Sequence, residues 1–118
     1  MRNNDLRIRT KTFALAVIRL VESLPRKRTA DVIGKQLLRC GMSVGSNYRA
    51  ACRARSQADF ISKMGIVEEE ADECAYWLEL LVEAKVLNKE SASKITAEAN
   101  ELVAIAVASM KTARGGSR

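Results

Sequence analysis

The sequence predicts an all-α protein folded as an antiparallel up-down-up-down four-helix bundle, and three observations carry that prediction. Apolar residues recur every three or four positions over long stretches, the spacing that places them on one face of a helix. The composition, 47 % hydrophobic and 29 % charged with one proline and six glycines, leaves few residues for turns. The interruptions between periodic stretches are few and short, which makes consecutive helices antiparallel neighbours. At 118 residues the chain is long enough for one domain that buries roughly two-thirds of its unfolded surface. Residues 1–4 and 114–118 are expected to fray at its ends.

The first helix is predicted over residues 5–23, with Leu6, Phe13, Val17, Leu20 and Leu24 on its inner side. Leu24-Pro25 stops it, because proline disfavours helical backbone in the residue before it, and Arg26-Lys27-Arg28 forms a basic loop. Thr29 is the expected N-cap of a second helix reaching about residue 55, with Asp31 near the positive end of its dipole. Rotation of about 100° per residue turns Ile33, Leu37, Cys40, Val44, Tyr48 and Ala51 inward. Within this helix Gly41-x-x-x-Gly45 permits close approach of another backbone and also invites a kink.

Ser56 followed by Asp59 resembles a capping box and starts the third helix. Its stripe of Phe60, Met64, Val67, Ala71, Cys74, Leu78, Leu81 and Val82 runs for more than six turns and is the strongest periodic signal in the chain. Ile66, Trp77 and Leu80 lie outside that stripe, beside Glu69, Glu70 and Glu73, and are the expected oligomer interface. Asn88 caps the fourth helix, whose inner stripe is Ile95, Ala99, Leu102, Val103, Ala106 and Met110.

Several classes of chemistry have no visible home in these residues. The chain contains no histidine, which removes the commonest general base and the Glu-x-x-His ligands of di-iron bundles. Cys40, Cys52 and Cys74 lack paired CxxC spacing and read as small buried hydrophobes. The acidic run Glu68-Glu69-Glu70 with Asp72 and Glu73 points in several directions around a helix and reads as a solvated or salt-bridged face. No catalytic residue, metal ligand or cofactor is therefore expected. With no apolar run of membrane-spanning length and no secretory leader pattern, the expected location is the cytoplasm.

Charge is unevenly spread. Residues 1–55 hold thirteen basic and three acidic side chains, a balance of +10, whereas residues 56–118 hold seven against eleven, a balance of −4. On the second helix Lys35, Arg39, Arg49 and Arg53 fall within an arc of about 80°, opposite the core side. Such a stripe can neutralise phosphates, and arginine can hold them with paired hydrogen bonds. Two readings stand beside each other: a nucleic-acid surface, or an ordinary solvated face with salt bridges to the acidic third helix. Tyr48 turns inward, so base stacking is not expected.

The segments Gln36-Leu37-Leu38-Arg39, Ser43-Val44-Gly45-Ser46-Asn47, Arg55-Ser56, Asp59-Phe60 and Trp77-Leu78-Glu79-Leu80-Leu81 together resemble the four-helix bundle family of 23S ribosomal RNA intervening sequences. The resemblance spans residues 13–87 and includes the Leu24-Pro25 stop. After the asparagine that family has an aliphatic residue, Ala, Glu and Gly; here Tyr48-Arg49-Ala50-Ala51-Cys52-Arg53 replaces the Glu and Gly and adds two arginines. A role carried by the missing acid does not transfer. The resemblance implies a homo-oligomeric ring, a pentamer, and RNA or DNA as a partner. It also implies a second kind of role, as an accessory protein to a reverse transcriptase, since related bundles of diversity-generating retroelements serve in that way.

Overall fold

The computed structural model describes residues 3–115 and consists of four helices: α1 Asn3–Glu22, α2 Arg28–Cys52, α3 Gln57–Glu83 and α4 Lys89–Gly115. Of the ends expected to fray, residues 1, 2 and 116–118 lie outside the described residues; α1 begins at Asn3 and α4 reaches Gly115. The molecule measures 48 × 21 × 20 Å, the outline of four rods lying side by side. A helix of 27 residues, the length of α3 and of α4, is about 40 Å long.

Apolar periodicity fixes which face of each helix turns inward. Leu37, Cys40 and Val44 of α2, Met64, Ala71, Cys74, Leu78 and Leu81 of α3, and Ala99 and Leu102 of α4 are buried together with Phe13 and Val17 of α1. Thr10 is the buried polar residue of α1, and its hydroxyl donates to the Arg7 carbonyl oxygen at 3.2 Å. The buried positions of α3 fall on the stripe predicted from spacing, as do those of α4 apart from Ala92, which extends its stripe by one turn; Phe60, Val82 and Val103 lie half-buried at the edges.

The ends of the helices follow from local chemistry. Ser56 Oγ accepts from the Asp59 N–H at 3.0 Å, while the Asp59 carboxylate accepts from the Arg55 N–H and from Lys63 Nζ, closing the start of α3. Asn88 Oδ1 accepts from the Ser91 N–H at 2.7 Å and caps α4. Thr29 does not cap α2: the helix starts two residues earlier than a Thr29 cap implies, Lys27 occupies the N-cap without a side-chain bond, and Asp31 N–H reaches the Lys27 carbonyl. A main-chain bond suffices there because the end is exposed and water can meet the free N–H groups. The other end of α2 stops at Cys52, short of the expected residue 55.

Helix α3 ends in a Schellman turn. Lys85 takes a left-handed backbone (φ 65°), the Val86 N–H bonds to the Leu81 carbonyl and the Lys85 N–H to that of Val82. Val86 then packs onto the core, so the turn both closes the helix and directs the chain toward α4.

Helix α2 runs unbroken through Gly41 and Gly45, and those glycines face α1. A Cβ at Gly41 would lie 2.8 Å from Val17, one at Gly45 would lie 3.3 Å from Thr10, and one at Gly34 would lie 3.3 Å from Val21. Partners descend from residue 21 to residue 10 of α1 as α2 ascends from 34 to 45, which is antiparallel packing at close range. The α1–α4 seam is the thinnest of the four, bridged by a bidentate pair between Arg9 and Glu98 (2.7 and 2.9 Å) with Glu101 alongside.

Candidate functional site

Antiparallel pairing of α1 and α2 puts the start of one helix beside the end of the other, and four cations meet there. Arg7 and Lys11 stand one turn apart on α1, Arg49 and Arg53 one turn apart on α2. Between them runs an open groove floored by Thr10, Ala14, Gly45, Ser46 and Ala50, with Met42 on its rim. Small floor residues let the two helices approach, and the long side chains rise on either side. No carboxylate lines the groove, and among the described residues none of the four cations forms an ion pair. Like charges held together without counter-charge make a strongly positive concavity that an anion would relieve.

The predicted stripe on α2 is thereby divided. Arg49 and Arg53 belong to the groove, whereas Arg39, at the other edge of the arc, leans toward α3. There its guanidinium donates to Glu70 at 3.1 Å and to Glu73, and its Nε to Gln36 at 3.3 Å. These contacts hold Arg39 charged and push its pKa further up, the bond to Glu73 contributing most. Burial works against ionisation of Glu73, yet the Trp77 indole N–H (2.9 Å) and Arg39 together hold its carboxyl below the ordinary range. Lys35 is exposed and lies about 27 Å along the helix from Arg53. Arg39 is therefore committed within the molecule, and Lys35 stands apart from the other two.

Arg7 and Lys11 were missed by reading one helix at a time; the signal was their i,i+4 spacing combined with the antiparallel register. Tyr48 is buried (3 % exposed), and burial followed by a hydrogen bond with Cys52 pushes its phenol well up, so it stays neutral and offers no stacking face. Ile66, Trp77 and Leu80 are half-buried, Trp77 and Leu80 packing against the core and Ile66 lying near Val107 between α3 and α4. The more exposed apolar side chains are others: Ile8 and Leu15 on α1, Val32 and Met42 on α2, Tyr76 on α3 and Val107 on α4. Among the described residues no cluster of acidic or cysteine side chains could hold a metal ion, and no helix is long and apolar enough to cross a membrane.

Comparison with known proteins places this bundle. The family model described as 23S rRNA-intervening sequence protein matches residues 2–108, nearly the whole chain. The chain belongs to that family. A solved structure of a protein of unknown function from the S23 ribosomal protein family of Bacteroides thetaiotaomicron superposes on this family member with a TM-score of 0.88. Its sequence identity is 35 %, and the alignment covers 95 % of this chain and all of the other. No curated protein matches the chain. The four-helix fold and the family are thus settled by two likenesses.

Proposed function

We propose that this member of the 23S rRNA-intervening sequence protein family is a non-enzymatic binding protein that holds structured RNA by its phosphates in the α1–α2 groove. The observation that carries the reading is the quartet Arg7, Lys11, Arg49 and Arg53, without an ion pair among the described residues, around a floor of small residues. Two arginines supply planar forks from α2 and one from α1, with a lysine as a mobile point charge. No aromatic face and no base-reading amide lines the groove, so the contact follows the shape of the backbone and is indifferent to sequence. The family's name, which ties it to inserts of ribosomal RNA, supports RNA as the polyanion. In this reading the protein works in the cytoplasm as a homo-oligomer that repeats the groove and gains avidity from several weak contacts.

The test is fluorescence anisotropy of a labelled RNA hairpin over a salt series, with wild type and an Arg49→Glu/Arg53→Glu variant whose fold is checked by circular dichroism. Wild type should lose affinity steeply, with a log–log salt slope of about −3 to −4 per groove if all four cations meet phosphates. The variant should bind at least tenfold more weakly at low salt. Equal binding by both proteins would remove the groove from the account.

A second reading, an adaptor or accessory subunit docking another protein such as a reverse transcriptase, has its own support on α3. Tyr76 is half exposed and lies in a groove with Asp72, Glu79 and Glu83 against the single cation Lys89, a net acidic face that disfavours phosphate and suits a basic protein surface. Loss of protein capture in a Tyr76→Ala/Glu79→Lys variant with unchanged RNA affinity would favour it.

A further inference from the structure

The basic groove leaves two chemically reactive side chains unused. Cys40 of α2 and Cys74 of α3 are both fully buried, and their sulfur atoms lie 3.1 Å apart. The Cys74 thiol donates to Cys40 Sγ, and the Cys40 thiol in turn donates to the Leu37 carbonyl oxygen at 3.5 Å. Both cysteines are free thiols here. Each cysteine is the sequence neighbour of an ion-paired residue, Cys40 of Arg39 and Cys74 of Glu73, so the same two helices are joined by a salt bridge and by the sulfur contact. Two thiols already in contact across a helix–helix interface need only about 1 Å of further approach to reach the disulfide bond length of about 2.05 Å.

We propose that Cys40 and Cys74 are an oxidative modification site, a dithiol that low-molecular-weight organic disulfides convert into an intrachain cross-link between α2 and α3. One thiolate attacks a sulfur of the organic disulfide RSSR, forming a mixed disulfide and releasing RS⁻. The second thiolate then attacks the protein sulfur of that mixed disulfide, forming the Cys40–Cys74 bond and releasing another RS⁻. In total the two cysteines lose two electrons and two protons, and RSSR leaves as two RSH.

The surroundings determine how this reaction proceeds. The hydrogen bond with Cys40, and then burial, push the Cys74 thiol far up, so little thiolate exists in the closed bundle. Reaction therefore waits for α2 and α3 to part. Cys52 is only half-buried and takes up RSSR sooner, but it lies about 18 Å along α2 from Cys40 and cannot resolve its own adduct with either buried thiol. A metal between the sulfurs is disfavoured, since among the described residues no third ligand joins them. Once formed, the cross-link ties residues 40 and 74 and restricts the unfolded chain, raising stability.

The test uses the full chain carrying Cys52→Ser, incubated with oxidised glutathione both folded and during refolding from urea, and read by intact mass and by thiol titration in denaturant. The expected product is a monomer lighter by two hydrogens, without reactive thiols, whose thermal midpoint lies roughly 5–15 °C above that of the reduced protein. Cys40→Ala and Cys74→Ala versions in the same background should instead retain one thiol or carry one glutathione. Two glutathione adducts on the Cys52→Ser protein, two thiols surviving after refolding in the oxidant, or covalent dimers as the main product would each overturn the assignment.

Discussion

Replacing Gly41 by alanine adds one methyl group at the closest point between α1 and α2. An ideal Cβ there lies 2.8, 3.0 and 3.0 Å from three carbons of Val17, whereas carbon atoms pack best at about 3.5–4.0 Å. Val17 is fully buried and β-branched, with essentially one side-chain rotamer open to it in a helix, so it cannot swing aside. Relief has to come from moving the helices apart, an overpacking cost of about 1–3 kcal/mol. Alanine returns up to about 1 kcal/mol through helix propensity, and since a backbone-facing clash below 3.0 Å with an immobile side chain belongs at the upper end of the overpacking range, the net loss should be about 2 kcal/mol. Gly65→Ala on α3 is the internal control, because its Cβ would meet only the Met110 sulfur, at 3.9 Å. That change should stabilise by about 0.5–1 kcal/mol through the same propensity gain. Urea unfolding followed by far-UV circular dichroism gives both numbers, provided the m-values stay equal. In the Val17→Ala background the penalty at Gly41 should shrink, since the clashing methyls are gone. A Gly41→Ala protein as stable as wild type would refute the claim that glycine is present for proximity. The Gly41 contact lies one turn from the groove floor at Gly45 and Thr10, so if the groove holds RNA as proposed, helices moved apart by Gly41→Ala should also weaken binding in the anisotropy assay.

Three further outcomes are expected. Lys85→Gly should raise stability by about 0.5–1 kcal/mol in the same assay, since a side chain held at positive φ costs roughly 1–2 kcal/mol that glycine avoids in part. Ser56→Ala should lower it by about 1 kcal/mol by leaving the Asp59 N–H without its acceptor. Glu73 is held below its ordinary range in the folded state, so its contribution is present above the unfolded value near pH 4.3 and is lost as pH falls through the lower folded value. Wild type should accordingly lose stability on acidification in that window, and Glu73→Gln should show a flatter profile together with lower stability at pH 7.

How much of this was legible in the sequence depended on whether a feature belongs to one helix or to two. The α3 stripe, the Ser56 and Asn88 caps and the inward turn of Tyr48 are properties of single segments, and spacing alone located them. Lys85 gave no sign, because the left-handed turn is imposed by the Schellman bonds and a lysine carries no preference for it. Thr29 misled because its side chain suits a cap that the exposed helix start does not require. The basic surface shows the same division. Arg49 and Arg53 were found from α2, but their companions Arg7 and Lys11 depend on a register set by glycine contacts with α1. A helical wheel also placed Arg39 with them, and could not tell that its edge of the arc faces the carboxylates of α3.

The thin seam between α1 and α4 gives the bundle an order of melting. Helix α1 is fastened to α2 by the glycine contacts and to the core by Leu6, Phe13 and Val17, while its direct seam with α4 is narrow and bridged by the Arg9–Glu98 clasp. Backbone amides of α1 should therefore exchange with deuterium through a sub-global opening that leaves α2, α3 and α4 closed. Since α1 carries Arg7 and Lys11, such an opening dismantles half of the groove while most of the protein stays folded, and occupancy of the groove by a polyanion bridging both walls would slow that exchange.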